Sequence, residues 1–279
     1  MNEHVNPIIN DQFYTDEMAK SMWDKAFFVN FIDANMLVDF GCADGVMLGF
    51  IARNFQGLKL VGYDNDPAML ERARLRNPGN PSNPILYTSD WAEVAAIVNA
   101  HQAKGQKAAL SLASVVHEIK MYLKGKELQV VMDQIWGQDG VAFDFIAFRD
   151  MMVSEHASRP AHPNHVARVR QVFGKMKDGR KRLNDWETQW GSISENWSLI
   201  HFFLTYRYVD NWERELRENY LPTPYEDFLA DIPNVYFPIY KDHYTLPFLY
   251  QEVDNTFGIQ LSDPTHLKLV LKLRRDLKE

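Results

Sequence analysis

The segment VDFGCADG (38–45) is where residue types and spacing in this chain most readily support chemistry. Gly41 and Gly45 allow a tight turn and close backbone approach to a ligand. The G-x-G-x-x-G spacing of a dinucleotide site, counted from Gly41, meets Ala43 and Val46 instead of glycine. No G-x-x-x-x-G-K-[ST] occurs, which excludes a P-loop. Two acids stand at the ends of strand-like runs downstream. In GYDNDP (62–67), Asp64 stands where a carboxylate can accept both hydroxyls of an adenosine ribose. Asp66 is better placed to cap a helix that begins at Pro67. In TSDW (88–91), Asp90 could accept from an adenine amino group, and Trp91 could pack on the purine face.

Two other clusters could act on a bound molecule. SVVHEIKMY (114–122) offers His117 as a base, with Glu118 to orient it or bind an acceptor. A histidine that merely caps a helix fits the same residues. FRDMM (148–152) offers Arg149 as an anchor for an acidic or phosphorylated group, or as one half of a local ion pair. His156, His162 and His165 cluster, but Pro160 and Pro163 interrupt them and no cysteine is near. A loop with histidines fits better than a metal site, and no metal is expected. The absence of G-x-S-x-G argues against a hydrolase elbow.

These residues need elements to hold them. Five short apolar runs, at 36–40, 58–63, 84–87, 108–114 and 143–148, read as strands. Helical intervals at 46–55, 67–76, 91–103 and 126–137 separate them, a pattern that implies parallel pairing with crossover helices. A capped helix is expected after Thr15, with Met18, Met22, Ala26 and Phe27 on one face. Beyond Asp150 the alternation stops, and residues 151–221 show no strand pattern. A helix at 225–230, a strand at 234–240 and a period-two strand at 265–275 close the chain. The expected architecture is an α/β, Rossmann-like, doubly wound, mostly parallel sheet. Residues 1–150 and 222–279 would form the core, with 151–221 as an inserted helical cap after the fifth strand.

In that order, VDFGCADG, GYDNDP and TSDW resemble the first three motifs of the class I S-adenosylmethionine-dependent methyltransferases. The likeness covers the sheet region and the closing strands, with Ala43 where a middle glycine often stands. It implies S-adenosylmethionine as cofactor and methyl transfer as activity. Asp39 would lie near the methionine amino group, Gly41 and Gly45 under the cofactor, Asp64 on the ribose and Asp90 on the adenine. Cys42, Ala43, Asn65, Trp91 and Ser114 complete the implied cofactor set; His117, Glu118 and Arg149 would face the reaction. The Asn/Asp-Pro-Pro-Tyr/Phe signature of amino-methylating nucleic-acid enzymes is missing after the fourth strand. The chain is also similar to a group of bacterial and phage proteins through HEI (117–119), RDM (149–151), HFFLTYRY (201–208) and THLKL (265–269). That likeness carries no acceptor identity.

Composition bounds the partners. The chain has 279 residues and a net charge of -7. Residues 156–184 hold eight basic side chains against Asp178, so this segment is +7 and the remainder -14. A broad nucleic-acid-coating surface is disfavoured. A local anionic acceptor remains open, whether a nucleotide, RNA or another phosphorylated small molecule. Lys175, Lys177, Arg180, Lys181 and Arg182 would contact it, within a KMKDGRKR (175–182) stretch expected as an exposed turn. A solvated basic helix fits as well. Trp197, His201, Leu204 and Tyr208 recur at helical steps and should turn toward a core. The single cysteine, Cys42, excludes an internal disulfide. Without a signal-peptide pattern or a long apolar run, a cytoplasmic protein with no membrane partner is expected. Two further classes stay open: a methyltransferase-like binding or regulatory protein, and a small-molecule or protein methyltransferase whose insertion is a lid. Nothing in the sequence fixes the oligomeric state.

Overall fold

The computed structural model describes residues 22–275. Most of the expected N-terminal helix lies outside them, and its described end is the turn Met22–Lys25. Nine strands follow in chain order: β1 (Met36–Phe40), β2 (Lys59–Tyr63), β3 (Gly79–Asn80), β4 (Asn83–Pro84), β5 (Leu86–Thr88), β6 (Ala108–Ala113), β7 (Phe145–Met151), β8 (Tyr236–Tyr244) and β9 (His266–Leu273). Seven form one sheet in the order β5-β2-β1-β6-β7-β9-β8, while β3 and β4 make a separate small ladder. β1 pairs in parallel with both β2 and β6, β2 with β5, and β6 with β7. β9 runs antiparallel to its neighbours. Met152 N donates to Thr265 O while Leu273 N donates to Asp144 O, and Thr265 N and Arg274 N reach Tyr244 O and Val235 O.

The strands are apolar because helices cover both faces of a parallel sheet. Every residue of β1 is buried, Asp39 included. Chain chemistry sets the helix ends. Asp66 caps Pro67–Arg76, accepting from Ala68 N at 2.8 Å and Met69 N at 3.4 Å, with Pro67 in the first turn. Asp90 caps Trp91–Gln102. Two expectations change. β7 extends through Met151, so Arg149 and Asp150 belong to a buried strand rather than the loop after one. β9 buries both faces, Val270 as well as Leu269 and Leu271, because it lies inside the sheet between β7 and β8.

By their packing, the described residues divide into two compact units. One contains those up to Asp150, with Ile232–Asp242 and the residues from Lys268 onward; the other contains Met151–Asp231 and His243–Leu267. The second unit is helical, with Pro163–Phe173, Gly179–Trp190, Asn196–Thr205 and Pro247–Phe257 as its longer helices. Trp186, Phe173, Phe202, Phe203 and Phe257 form the centre of its core. Trp197, His201 and Leu204 all turn toward protein, as their spacing predicts; Tyr208 lies beyond the helix end.

The basic segment departs from expectation. Only the first half of KMKDGRKR is the exposed turn expected: Lys175, Lys177 and Asp178 are exposed in a turn, and the helix Gly179–Trp190 begins directly after Asp178, which takes a left-handed conformation. Arg182 is 6% exposed. Its guanidinium lies over the rings of Phe173 (4.6 Å) and Trp212 (5.3 Å) and donates to the carbonyls of Tyr206 and Lys177. It is a core residue of this unit, and its place in the acceptor-contacting set is withdrawn. Lys181 pairs with Asp185 at 2.7 Å, Arg170 with Glu187 at 2.6 Å and Arg159 with Asp263 at 2.8 Å. Three of the eight basic side chains are therefore balanced by nearby carboxylates. Lys175, Lys177 and Arg180 are exposed.

Candidate active site

Strand order reverses at β1, which has β2 on one side and β6 on the other. In such sheets a crevice opens beyond the carboxyl ends of the two strands that flank the reversal. The loops after β1 and β6 border it, and both are strained. Ala43 (φ 47) and Ser114 (φ 59) are two of three non-glycine residues with positive φ among the described residues, one in each loop. Such conformations persist only where the surroundings over-determine them, and they concentrate at functional sites.

The loops interlock. A Cβ on Gly41 would stand 2.6 Å from Val115 Cγ2, and one on Gly45 2.3 Å from Tyr87 Oη. Both glycines also have φ of 74°. They are thus required by protein packing as well as turn geometry: side chains, not open space, fill the position a Cβ would take. Gly45→Ala combines left-handed strain with overpacking, and should cost about 2–3 kcal/mol in an unfolding titration. A loss below about 0.5 kcal/mol would refute that account. Cys42 points into the core, its thiol pushed up by burial, so its backbone rather than its sulfur is what the loop could offer a ligand.

Asp64 ties the β2 end to the β1 loop. Ala43 N donates to Oδ2 at 2.8 Å and Asp66 N to Oδ1 at 2.9 Å. Burial pushes its carboxyl above the usual range, and the backbone donors pull it back. An ionised carboxylate has about four acceptor positions, so one amide on each oxygen leaves capacity for a pair of hydroxyls. Asn65 beside it is exposed. Asp90 is exposed and spends one oxygen on Ala92 N, at 2.8 Å. Trp91 meets Phe40 and Tyr63 edge-on, with ring centroids 5.6 and 5.2 Å away, and its Nε1 donates to Asp139 at 2.6 Å.

A buried polar group continues from β1 toward β7. Ser111 Oγ donates to Asp39 Oδ1 at 2.8 Å. Burial raises the Asp39 carboxyl to about 7, opposed by Ser111 and Lys25. Lys25, 4% exposed, is lowered to about 8, first by burial and then by the like charge of Arg149; Asp39, Asp150 and Asp24 work against the fall. Arg149 donates to Asp24 from Nε (2.8 Å) and Nη2 (2.7 Å), and from Nη1 to Ser114 Oγ at 3.1 Å. Asp150 Oδ2 accepts the amides of Val116 and His117, and its Oδ1 meets His117 Nδ1 at 2.7 Å. Glu118 is half-buried in the same helix, Val116–Tyr122.

The structure brings Asp39, Ser114, His117 and Arg149, all named from the sequence, into one polar neighbourhood. Asp150, the neighbour of Arg149 in FRDMM, joins them, as do Asp24, Lys25 and Ser111, which the sequence did not single out. The alternation of Asp39 with apolar neighbours in β1 was the available signal for a buried partner. Asp24 and Lys25 carried none, since their role depends on where the N-terminal turn lies. A concavity of about 650 Å³ lies elsewhere, lined by the last turns of helices Val46–Asn54 and Pro67–Arg76 and the loops after them. It contains none of these residues.

No protein-family model matches the chain, and no curated protein matches it. Solved structures do. The methyltransferase domain of bacterial CtHen1-C is 12% identical, with a TM-score of 0.46 over 95% of this chain and 99% of that one. The plantazolicin methyltransferase BpumL, in complex with a monoazolic desmethylPZN analog and SAH, is 11% identical, with a TM-score of 0.44 over 95% and 86%. These are likenesses of shape. The chain has a Rossmann-like, doubly wound α/β fold, with the strand order reversing at β1 and an antiparallel β9 between β7 and β8.

Proposed function

We propose that the chain binds S-adenosylmethionine at the β1–β6 crevice and transfers its methyl group to an acceptor. One observation carries this reading: Asp64, fixed by two backbone amides at the end of β2, retains acceptor capacity for two vicinal hydroxyls. The lining fits the rest of an adenosylmethionine. Asp39 and Lys25 supply opposite charges for an amino acid's ammonium and carboxylate, and the Phe40–Tyr63–Trp91 rim supplies apolar surface for a purine. When bound, the cofactor supplies an electrophilic methyl group on a sulfonium. The protein's part is to align the acceptor, exclude water and receive a proton where the acceptor must lose one. An anionic acceptor, nucleotide, RNA or other phosphorylated molecule, would be read by Lys175, Lys177 and Arg180, the exposed members of the basic segment.

Calorimetry with S-adenosylmethionine and S-adenosylhomocysteine tests the cofactor. Asp64→Ala should weaken either ligand by about 10- to 100-fold, the worth of one or two charge-assisted hydrogen bonds. Binding of neither ligand to the wild type would end the proposal. Tritiated methyl transfer to pooled RNA, DNA, nucleotides and protein then separates an enzyme from a protein that only holds the cofactor.

A further inference from the structure

The amino ends of the first two strands, away from the crevice, carry a cationic trough. Two concavities of about 650 and 630 Å³ lie there and share Gly57, Ser82 and Asn83, so they form one continuous depression. The first is walled by the ends of the helices Val46–Asn54 and Pro67–Arg76. The second is walled by the end of Trp91–Gln102 and the residues that open β1 and β2. Arg53 and Arg76 line the first lobe, Lys59 and Lys104 the second, and no carboxylate lines either among the described residues. Arg53, Lys59 and Lys104 are exposed and make no ion pair among the described residues, while Arg76 has Asp44 at 3.5 Å. Cations in the last turn of a helix complement its negative end, which accounts for Arg53 and Arg76. It does not account for Lys59, the first residue of β2. In a chain of net charge -7, such a gathering of cations is a local field that an anion would offset.

A buried histidine points the same way. His101 lines the second lobe at 6% exposure, and its Nε2 has no hydrogen-bond partner. Burial lowers its titration, and Lys59 and then Lys104 lower it further, against the backbone of Lys107. Both lysine charges are therefore felt at one ring. Asn35 and Gln106 add amide donors and acceptors to the same lobe. We propose that this trough binds the phosphodiester backbone of a single-stranded nucleic acid, with Arg53, Lys59 and Lys104 each contacting phosphate. Two joined lobes suit a linear chain of charges better than a lone ion. Phe55 is the single phenyl ring in the lining, so the contact is to backbone rather than to stacked bases, and sequence preference is weak. The trough lies at the other end of β1 from the crevice, about 16 Å away for a five-residue strand. A strand held here is retained by the protein and not acted on at that point. The proposal does not depend on the methyltransferase reading.

Fluorescence anisotropy with a labelled oligouridylate tests it. The logarithm of affinity against the logarithm of salt concentration should fall with a slope of about -2 to -3, for three or four phosphates on a single strand. Lys59→Glu combined with Lys104→Glu should weaken binding at least about tenfold at about 0.1 M salt and make the slope shallower by about 1.4. Both lysines are exposed, so the urea midpoint of the double variant should match the wild type. Its affinity for S-adenosylhomocysteine should change less than about twofold, which keeps a failure here distinct from a failure of the cofactor reading. The oligouridylate should also raise the His101 titration read by NMR, because phosphate offsets the two lysine charges. No binding by the wild type, a slope shallower than about -1, or an unchanged affinity in the double variant would overturn the proposal. A His101 titration that stays put on binding would place the strand elsewhere and overturn it too. So would loss of binding only on reversal of Lys175, Lys177 and Arg180. Inorganic phosphate that displaces the oligouridylate as well, phosphate for phosphate, as unlabelled strand does would reduce the trough to a single-ion site and end the strand reading.

Discussion

Replacing Arg149 with methionine is expected to destabilise the protein by about 3 kcal/mol. Arg149 is 4% exposed, and its partner Asp24 is 17% exposed. Removing one member of such a pair strands the other, which typically costs about 3–5 kcal/mol, more than the net worth of the intact pair. The lower end applies because Lys268 still reaches Asp24 at 2.6 Å. The same change should leave Ser114 Oγ without its Arg149 donor, at one of the two strained loop residues. A urea titration should show a lower midpoint with an unchanged slope. A second signal tests the electrostatics. Arg149 helps hold Lys25 down to about 8, so removing this positive charge should raise the lysine's titration. A loss under about 1 kcal/mol, or a Lys25 titration that stays put or falls, would show that these charges do not act as one buried group.

The parallel sheet was legible because its signal is local. MLVDF and AALSLA are short apolar runs, and Asp66–Pro67 and Asp90 mark two of the helix starts by their own chemistry. Two helices were missed for different reasons. In Val116–Tyr122 the first cap is Asp150, 34 residues away, which no local pattern reveals. Pro247–Phe257 did leave signs: proline at its first position, Leu249, Val253 and Phe257 on one face, and Gly258 in a left-handed cap. The basic segment misled because charge counts say nothing about burial. Arg182 contributes to a sum of charges exactly as Lys181 does, yet one lies over two aromatic rings and the other at the surface.

Of the site, the half contributed by strand ends could be read, because a parallel sheet dictates which ends meet. Asp64 follows from its place at the end of a strand, and Asp39 and Ser114 from the motif resemblance. The half contributed by partners at long sequence separation could not. Arg149 meets Asp24 across 125 residues, and Ser111 meets Asp39 across 72. Such pairs are a property of the fold. They also shift emphasis away from the basic segment: the densest buried polar contacts lie along β1, β6 and β7, whereas three of the segment's eight basic side chains pair with carboxylates outside it.

Asp39→Asn should make the protein more stable at alkaline pH and a poorer binder of the cofactor. In an unfolded chain the Asp39 carboxyl titrates near 4, whereas burial in β1 raises it to about 7. Between these values the folded state keeps a proton that the unfolded state has lost. Stability contributed by this group therefore falls as pH rises through that window, and above about 7 the whole cost is present. Three pKa units correspond to about 4 kcal/mol as an upper bound. Asparagine never ionises and still accepts from Ser111 Oγ, so it removes the cost without opening a cavity. Against this, Lys25 loses one of the charges that hold its titration up, which returns part of the gain. The melting temperature of the variant should match the wild type near pH 4 and exceed it by several degrees at pH 8. A difference that does not grow with pH would refute the assigned burial cost. Affinity for S-adenosylhomocysteine should move the other way and fall at least tenfold, because a neutral amide cannot balance a ligand ammonium. A stabilising change that costs binding is the expected signature of a charge retained in a buried strand for a ligand; a variant that is both more stable and equally tight would leave Asp39 without a functional reason to be charged.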